Sequence, residues 1–382
     1  MASSMTMKSA QRLAQKSAGL TSRAGRKLSV RVNAKLVQKA EYIWQDGQEG
    51  AIHKGFTFNE LRSKTKTFEA DMGLDPTNYP DWSYDGSSTA QAKGNNSDLI
   101  IRPVRVAPDP IRGAPHVLIM CEVYSPDGVP HPTNTRAGLR EVCEHPVVKA
   151  SDSWFGFEQE YTMLDGKTQR VFGWPSSGFP TPQGPFYCGV GSESVYGRPL
   201  AEAHMEACMQ AGLNISGINS EVLPGQWEFQ IGPVGALDLG DEVHLARWLL
   251  HRLGEDYGIV STFHPKPVKG DWNGTGAHTN YSSKEMRVPG GMVAIDAAVE
   301  KLSKTHAEHI SQYGLQNDQR LTGAHETCDI NTFKHGVADR GSSIRIPLPV
   351  MLKGYGYLED RRPSANVDPY TVARLLLKTI LT

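Results

Sequence analysis

The chain has little cysteine: five residues in 382, odd in number, widely spaced and forming no C-x-x-C pair (Cys121, Cys143, Cys188, Cys208, Cys328). Neither a disulfide framework nor a thiolate zinc site is indicated, and reduced thiols are expected. Charge of one sign is also lacking. The formal net charge of −1 offers no basic footprint for nucleic acid and no electrostatic anchor for a membrane. No apolar run approaches the roughly 18 residues that span a bilayer. The familiar nucleotide motifs are absent as well. GKT at 166–168 has Tyr161 where a P-loop needs its first glycine, so it reads as a hairpin turn; Gly189 and Gly191 are not followed by the third glycine of a dinucleotide fingerprint. HETC at 325–328 lacks the second histidine of a zincin, and there is no nucleophile elbow.

The first forty residues lack acid altogether. They carry nine Lys and Arg before Glu41, are rich in Ser and Ala, and contain no continuous apolar core. This composition is that of an organelle transit peptide and not of a secretory signal. A cleaved segment 1–34 is expected, processed near Val32 to Ala34. Its serine content favours the chloroplast, with the mitochondrion as second choice.

What is present is a soluble globular composition long enough for two domains. From 35 to 130, apolar runs (EYIW, DLIIRPV, HVLIMCEVY) alternate with turn formers and read as short strands. The turn-rich SPDGVPHPTNT leads into a larger part, 131–382, of mixed strands and helices. Helices are expected at about 199–212, at 241–254 with Asp241 as cap, at 291–313, and at 368–381 with Asp368 as cap and Pro369 at the first turn. Strand and helix do not alternate regularly, so the fold class is α+β.

The chemistry gathers around acids in apolar company. In FGFEQEYT, a strand puts Glu158 and Glu160 on one face, about 7 Å apart, with Phe157, Gln159 and Tyr161 on the other. Glu221 and Glu228 flank a Pro-Gly turn in SEVLPGQWEFQIGP, His278 follows a glycine-rich approach, and Glu359 follows Tyr357 and Leu358. Acids so placed are seldom left unpaired, because desolvating a carboxylate is expensive. If they converge, five carboxylates and one imidazole form a hard site suited to Mg²⁺ or Mn²⁺. Paired carboxylates also serve glycosidases, but five acids with an arginine cluster exceed that need. The arginines are Arg320, Arg340, Arg345, Arg361 and Arg362; few acids lie near Arg340 and Arg345 in sequence, so phosphate or carboxylate ligands are expected partners. Alternation sets Arg345 on a strand with Ile344 and Ile346 opposite.

In order along the chain, WSYDGSST (82–89), FGFEQEYT (155–162), GWPSSGFPTPQGPFYCGVG (173–191), SEVLPGQWEFQIGP (220–233), NGTGAHTNYS (273–282), RLTGAHET (320–327), ADRGSSIRIP (338–347) and GYLEDRRPSANVDPY (356–370) closely resemble type II glutamine synthetases and, with the N-terminal extension, the plastid isoforms of plants and green algae best. The resemblance implies a small N-terminal β-grasp-like domain and a larger catalytic domain built on a curved antiparallel sheet. It implies ATP-dependent ligation of ammonia to L-glutamate in sites between subunits of a homo-oligomer, a decamer of two rings.

It further implies one metal ion on Glu160, Glu221 and Glu228 and another on Glu158, His278 and Glu359. ATP would meet Arg340 and Arg345; glutamate would meet Asn273, Gly274, Arg320 and Arg361. Asp85 would take a proton from ammonium, and Glu326 would sit on a flap over the reaction. The motifs depart from the family's pattern at Ser83 and Asp339, and PLPVML (347–352) is apolar where relatives carry a charged loop. An inactive relative of the same fold, or a ligase for another amine, are the rival readings; the retained Asp85 and Glu326 favour ammonia.

Overall fold

The computed structural model describes residues 37–48 and 60–382. The expected transit segment and its processing point lie outside the described residues.

The three apolar runs of the N-terminal part form strands β1 (Gln38–Gln45), β4 (Asp98–Pro108) and β5 (Val117–Tyr124). They are joined by β2 (Leu61–Phe68) and β3 (Trp82–Asp85) in a five-stranded sheet ordered β2-β1-β5-β4-β3, mixed because β1 and β5 run parallel. β5 is buried along its whole length, as its continuous apolar run requires. β2, LRSKTKTF, carries no apolar run to mark it. Its lysines instead cover an aromatic edge, Lys64 and Lys66 lying 3.6 and 4.8 Å from the centre of the Trp82 ring. Beyond β3, Asp85 caps a single 3-10 turn, accepting from the Ser87 backbone N–H (3.0 Å) and from the hydroxyls of Ser87 (2.7 Å) and Ser88 (2.6 Å).

Residues 125–134 lead from β5 into α1 (Thr135–Cys143) and α2 (Pro146–Ala150). The second sheet comprises β6 (Trp154–Asp165), β7 (Ile215–Ser220), β8 (Gln226–Val234), β9 (Ile259–Thr262), β10 (Ala277–Ser282), β11 (His335–Val337), β12 (Ile344–Ile346) and β13 (Leu358–Asp360). Its order is β11-β12-β13-β10-β6-β8-β7, with β9 on the far end of β6. Every pair is antiparallel except β11 with β12, so the expectation of an antiparallel sheet needs that one correction. GKT does form the tight turn after β6, with Asp165 accepting from the N–H groups of Lys167 and Thr168.

The helices are α3 (Arg198–Gln210), α4 (Ala236–Tyr257), α5 (Met292–Lys304), α6 (His306–Ile310), α7 (Leu348–Lys353) and α8 (Pro369–Leu381). α8 starts as its sequence signals, Asp368 accepting from the Thr371 N–H. α4 does not. It begins five residues before Asp241, which sits inside the helix, buried, accepting from Arg136 Nε and Nη2 (2.8 and 3.0 Å) and from Tyr370 Oη (2.6 Å). Arg136 also donates to Glu122 of β5 (2.8 Å), so one guanidinium ties the first sheet to α1 and α4. The span 291–313 is two helices and not one, broken at Thr305, whose φ/ψ of −108°/15° leaves the helical region. The apolar 347–352 stretch becomes α7, with Val350 buried and Leu352 exposed. α4 packs beneath β6 and β8 and against α8, and the large core lies there. That packing leaves the opposite face of the sheet free to carry polar groups.

Candidate functional site

β6 supplies the centre of the site because its neighbours come from distant parts of the chain. Register places His278 of β10 opposite Glu158, and Glu228 of β8 opposite Glu160. β13 adds Glu359 on the far side of β10, and β12 sets Arg345 opposite Glu359. Since alternate residues share a face, five strands aim these groups into one pocket. Phe157, Gln159 and Tyr161 are buried on the other face. Glu221 joins from the turn after β7, and Asn273, Gly274, Arg320, Glu326, Arg340 and Arg361 add to the lining.

Hydrogen bonds aim the acids. Asn280 Nδ2 donates to Glu158 (2.7 Å); the Gly276 N–H and Gln226 Nε2 donate to Glu160 (2.6 and 3.1 Å); Asn219 Nδ2 donates to Glu221 (2.8 Å); Gln230 donates to Glu228. His278 stands among three carboxylates, Nδ1 being 3.5 Å from Glu158 and 3.8 Å from Glu359, and Nε2 4.0 Å from Glu160.

The arginines have acid partners that their sequence neighbours do not reveal. Arg345 and Arg361 each donate to one oxygen of Glu359, at 2.6 and 2.7 Å, and Arg340 lies 3.6 Å from Glu326. Arg320 is held by the Arg361 carbonyl (3.0 Å) and faces His278 Nε2 (3.3 Å). Arg362 is not in the pocket. One residue out of phase with Arg361, it points into the core, where it pairs with Asp360 (2.7 Å). Asp85 does not line this pocket either; it is exposed at the end of β3, and the hydroxyls of Ser88 and Ser87 hold its carboxyl well below the usual range.

The loop that carries Glu326 is strained. His325 and Glu326 are consecutive non-glycine residues with φ of 52° and 62°, a left-handed pair that costs about 1–2 kcal/mol per residue. Arg361 Nη2 holds the Glu326 carbonyl (3.4 Å), and the Thr327 hydroxyl holds the Arg320 and Ala324 carbonyls.

The donor set fits a hard divalent cation. Among the described residues, two groups have ligand atoms within 4.8 Å of one another, Glu158 with Glu228 and His278, and Glu160 with Glu221 and Glu228. They share Glu228, whereas the resemblance assigns it to one ion; Glu359, assigned to the other, is here engaged by two guanidiniums. Burial first, then the neighbouring carboxylates, pushes Glu221 up to about 8 and Glu228 well above its ordinary value. Burial likewise pushes Glu160 to about 7, against the pull of Arg320. Burial, then Arg361, holds His278 well below its ordinary value, neutral and able to ligate.

The sign of the pH effect follows. In the unfolded chain these acids ionise near 4.5, and in the fold near 7 to 8, so the folded state binds more protons in between. Ion-free stability therefore falls as pH rises through that window and levels off above it. The thermal midpoint of EDTA-treated protein should drop between pH 5 and 8, and the increment from Mg²⁺ or Mn²⁺ should grow over the same range. An increment independent of pH, in a melting series with and without ion, would contradict the placement of these acids.

A second, apolar pocket of about 440 Å³ adjoins the first, sharing Glu158. Trp154, Pro233, Tyr281 and Tyr357 line it, and the Arg287 guanidinium carbon lies over the Trp154 ring, 3.9 Å from its centre, anchored by Asp152 (2.6 Å). Such walls suit a planar heteroaromatic ring. Sequence alone did not reveal these residues, though a signal existed: Trp154 lies four residues before Glu158 and Tyr357 two before Glu359. Tyr187, Gln226, His325 and Thr327, which also line the acidic pocket, were not singled out either.

Likeness to known proteins points to one family. Residues 36–126 match the family model described as glutamine synthetase, beta-Grasp domain, and residues 132–316 that of the glutamine synthetase catalytic domain. The chain is 75% identical to the chloroplastic glutamine synthetase of Chlamydomonas reinhardtii over 94% of both chains. It is 51% identical to root isozyme 1 of Zea mays (90% of this chain, 93% of that one) and 51% identical to the enzyme of Saccharomyces cerevisiae (89% and 88%). With both models matched in order and likeness running nearly end to end, the chain belongs to the glutamine synthetase family.

Proposed function

We propose that the acidic pocket is the seat of the family's reaction in this enzyme: L-glutamate, ammonia and ATP give L-glutamine, ADP and phosphate. A single observation carries the reading. Six glutamates, the neutral His278 and four arginines from six separated motifs meet over one face of one sheet. A carboxylate is a poor electrophile. Its γ-oxygen attacks the terminal phosphorus of ATP, ADP leaves, and the resulting acyl phosphate offers nitrogen a carbon with a good leaving group.

Residue roles follow from chemistry and position. Arg340, the most exposed guanidinium of the pocket, would follow the transferring phosphoryl group, with Arg345 on the nucleotide. Arg320 and Arg361 would take the carboxylates of glutamate, beside Asn273 and Gly274. Glu160, Glu221 and Glu228 would hold one Mg²⁺ or Mn²⁺ and Glu158, His278 and Glu359 another, neutralising the phosphate oxygens as charge shifts between them. Ammonium cannot attack while its lone pair binds a proton. Asp85, kept ionised by its serines, would take that proton; Glu326 would exclude water and accept a later one. Because Asp85 lies outside the pocket of its own chain, a neighbouring subunit would supply it. That supports an oligomer with sites between subunits, and a decamer of two rings is the proposed form. The acid-free N-terminus and the chloroplastic relative support the plastid stroma as location.

The test is glutamine formation by the purified protein from its three substrates, abolished by EDTA and restored by Mg²⁺. Ethylamine in place of ammonia, yielding an alkylamide at a comparable rate, would favour the other-amine ligase; no product at all would favour the inactive relative. The apolar pocket is the proposed seat of adenine. Trp154→Ala is expected to raise the KM for ATP about tenfold, the value of one stacked aromatic wall, while the KM for glutamate holds. Equal rises in both would remove adenine from that pocket.

A further inference from the structure

Beneath the site lies a buried cation, drawn electrostatically to the buried Asp368 but, among the described residues, forming no ion pair with it. Arg247 of α4 is 1% exposed, and among the described residues no carboxylate is a hydrogen-bond partner of its guanidinium. Burial pulls its pKa down to about 9, a sign of what the position costs. The bonds it makes show what it holds. Nε donates to Gln159 Oε1 (2.9 Å), and Nη2 donates to the same oxygen and to the carbonyls of Ala365 (3.1 Å) and Val367 (3.0 Å). Gln159 Nε2 in turn donates to the carbonyls of Glu160 (2.8 Å) and Ala365 (3.0 Å).

Gln159 lies between Glu158 and Glu160 on β6, facing away from the pocket. Residues 363–367 are the chain that leaves β13 just after Glu359 and Arg361. β10, with His278, runs between β6 and β13 in the sheet and is pinned to that same segment, Ala277 N–H to Pro363 carbonyl (3.0 Å) and Ala365 N–H to Thr275 carbonyl (3.2 Å). The clamp thus spans, from below, the three strands that present Glu158, His278 and Glu359.

We propose that Arg247, acting through Gln159, is a positioning residue that sets the spacing of Glu158, His278 and Glu359 for a divalent ion. The inference rests on the metal reading of the pocket. Hydrocarbon could fill the space beneath β6, but it could not hold two carbonyls and an amide at fixed distances from one another. A ligand set drawn from three strands needs that constraint, since small errors in separation weaken ion binding steeply.

The experiment is Mn²⁺ titration of the ion-free, full-length protein without substrates, followed by the resonance of free Mn²⁺, for wild type, Arg247→Met, Arg247→Lys and Gln159→Met. Weakening of one class of Mn²⁺ site by about tenfold or more is expected in Arg247→Met and Gln159→Met, with native circular dichroism. Arg247→Lys, which keeps the charge but not the fork, should fall between them and wild type. A purely structural role would lower the thermal midpoint and leave Mn²⁺ affinity unchanged. That outcome overturns the inference, and Gln159→Met decides it alone if the Arg247 variants do not fold. Wild-type protein that binds no Mn²⁺ would instead sink the metal reading, and this inference with it.

Discussion

Glu160→Gln is expected to lower glutamine synthesis about a thousandfold while the fold survives. Glu160 is the acid that most neighbours depend on: it accepts from Gly276 N–H and from Gln226, stands opposite Glu228 in the sheet, and lies 4.0 Å from His278. An amide keeps the size and the one acceptor oxygen to which both Gly276 and Gln226 donate, but it removes the charge and puts a non-ligating NH₂ group in place of the oxygen that faces His278. Losing one anionic ligand forfeits several kcal/mol of charge stabilisation during phosphoryl transfer, and about 4 kcal/mol corresponds to roughly a thousandfold in rate. Without ion, removing one of several repelling acids relieves the pocket. EDTA-treated Glu160→Gln should therefore melt no lower than EDTA-treated wild type at pH 8. The paired measurement, turnover and ion-free melting, separates a lost ligand from a lost fold. Near-normal turnover would remove Glu160 from the metal centre.

Asp85→Ala carries the second large effect. Removing a positioned general base typically costs about a hundredfold to ten-thousandfold, and here the loss should fall on amide formation and spare ADP release in the absence of ammonia. The location of Asp85 adds a sharper test. If each site takes its pocket from one subunit and its Asp85 from the next, then refolding Asp85→Ala and Glu160→Gln chains together creates some sites with both groups intact. Random mixing of equal amounts in a ring should restore about a quarter of wild-type activity. Each variant alone should stay silent. A mixture as inactive as its components would place Asp85 and Glu160 of the same site in one chain, and an active Asp85→Ala on its own would put Asp85 outside catalysis.

Some of the site was legible because alternation is a local property. Glu158 and Glu160 share a face whatever the rest of the chain does, Arg345 opposes two buried isoleucines on three residues of strand, and Asp368 followed by Pro369 starts a helix wherever the chain goes. Asp241 shows the limit of such reasoning. Its capping chemistry is sound, but α4 starts earlier because Leu239 and Val243 bury against the core, and Arg136 and Tyr370 satisfy the carboxylate inside the helix. Thr305 breaks a span whose periodicity ran on, since apolar spacing alone does not register a local change of backbone angle. Arg340 and Arg345 looked free of acids only because their partners are close in space and not in sequence.

The amino-acid sequence by itself determined the kinds of chemistry available: oxygen-rich ligands without thiolates, guanidiniums for phosphate and carboxylate, an acid set among serines, and the motif order that marks the family. Only the tertiary structure decided which acids share a neighbour, that Glu359 is gripped by two arginines while Arg362 turns inward, that an aromatic pocket adjoins Glu158, and that Asp85 lies outside its own chain's pocket. The reason is physical. Side-chain direction along a strand is set by the backbone two residues at a time, whereas the distance between Glu158, His278 and Glu359 is set by which strands lie side by side, and that order depends on packing summed over the whole core.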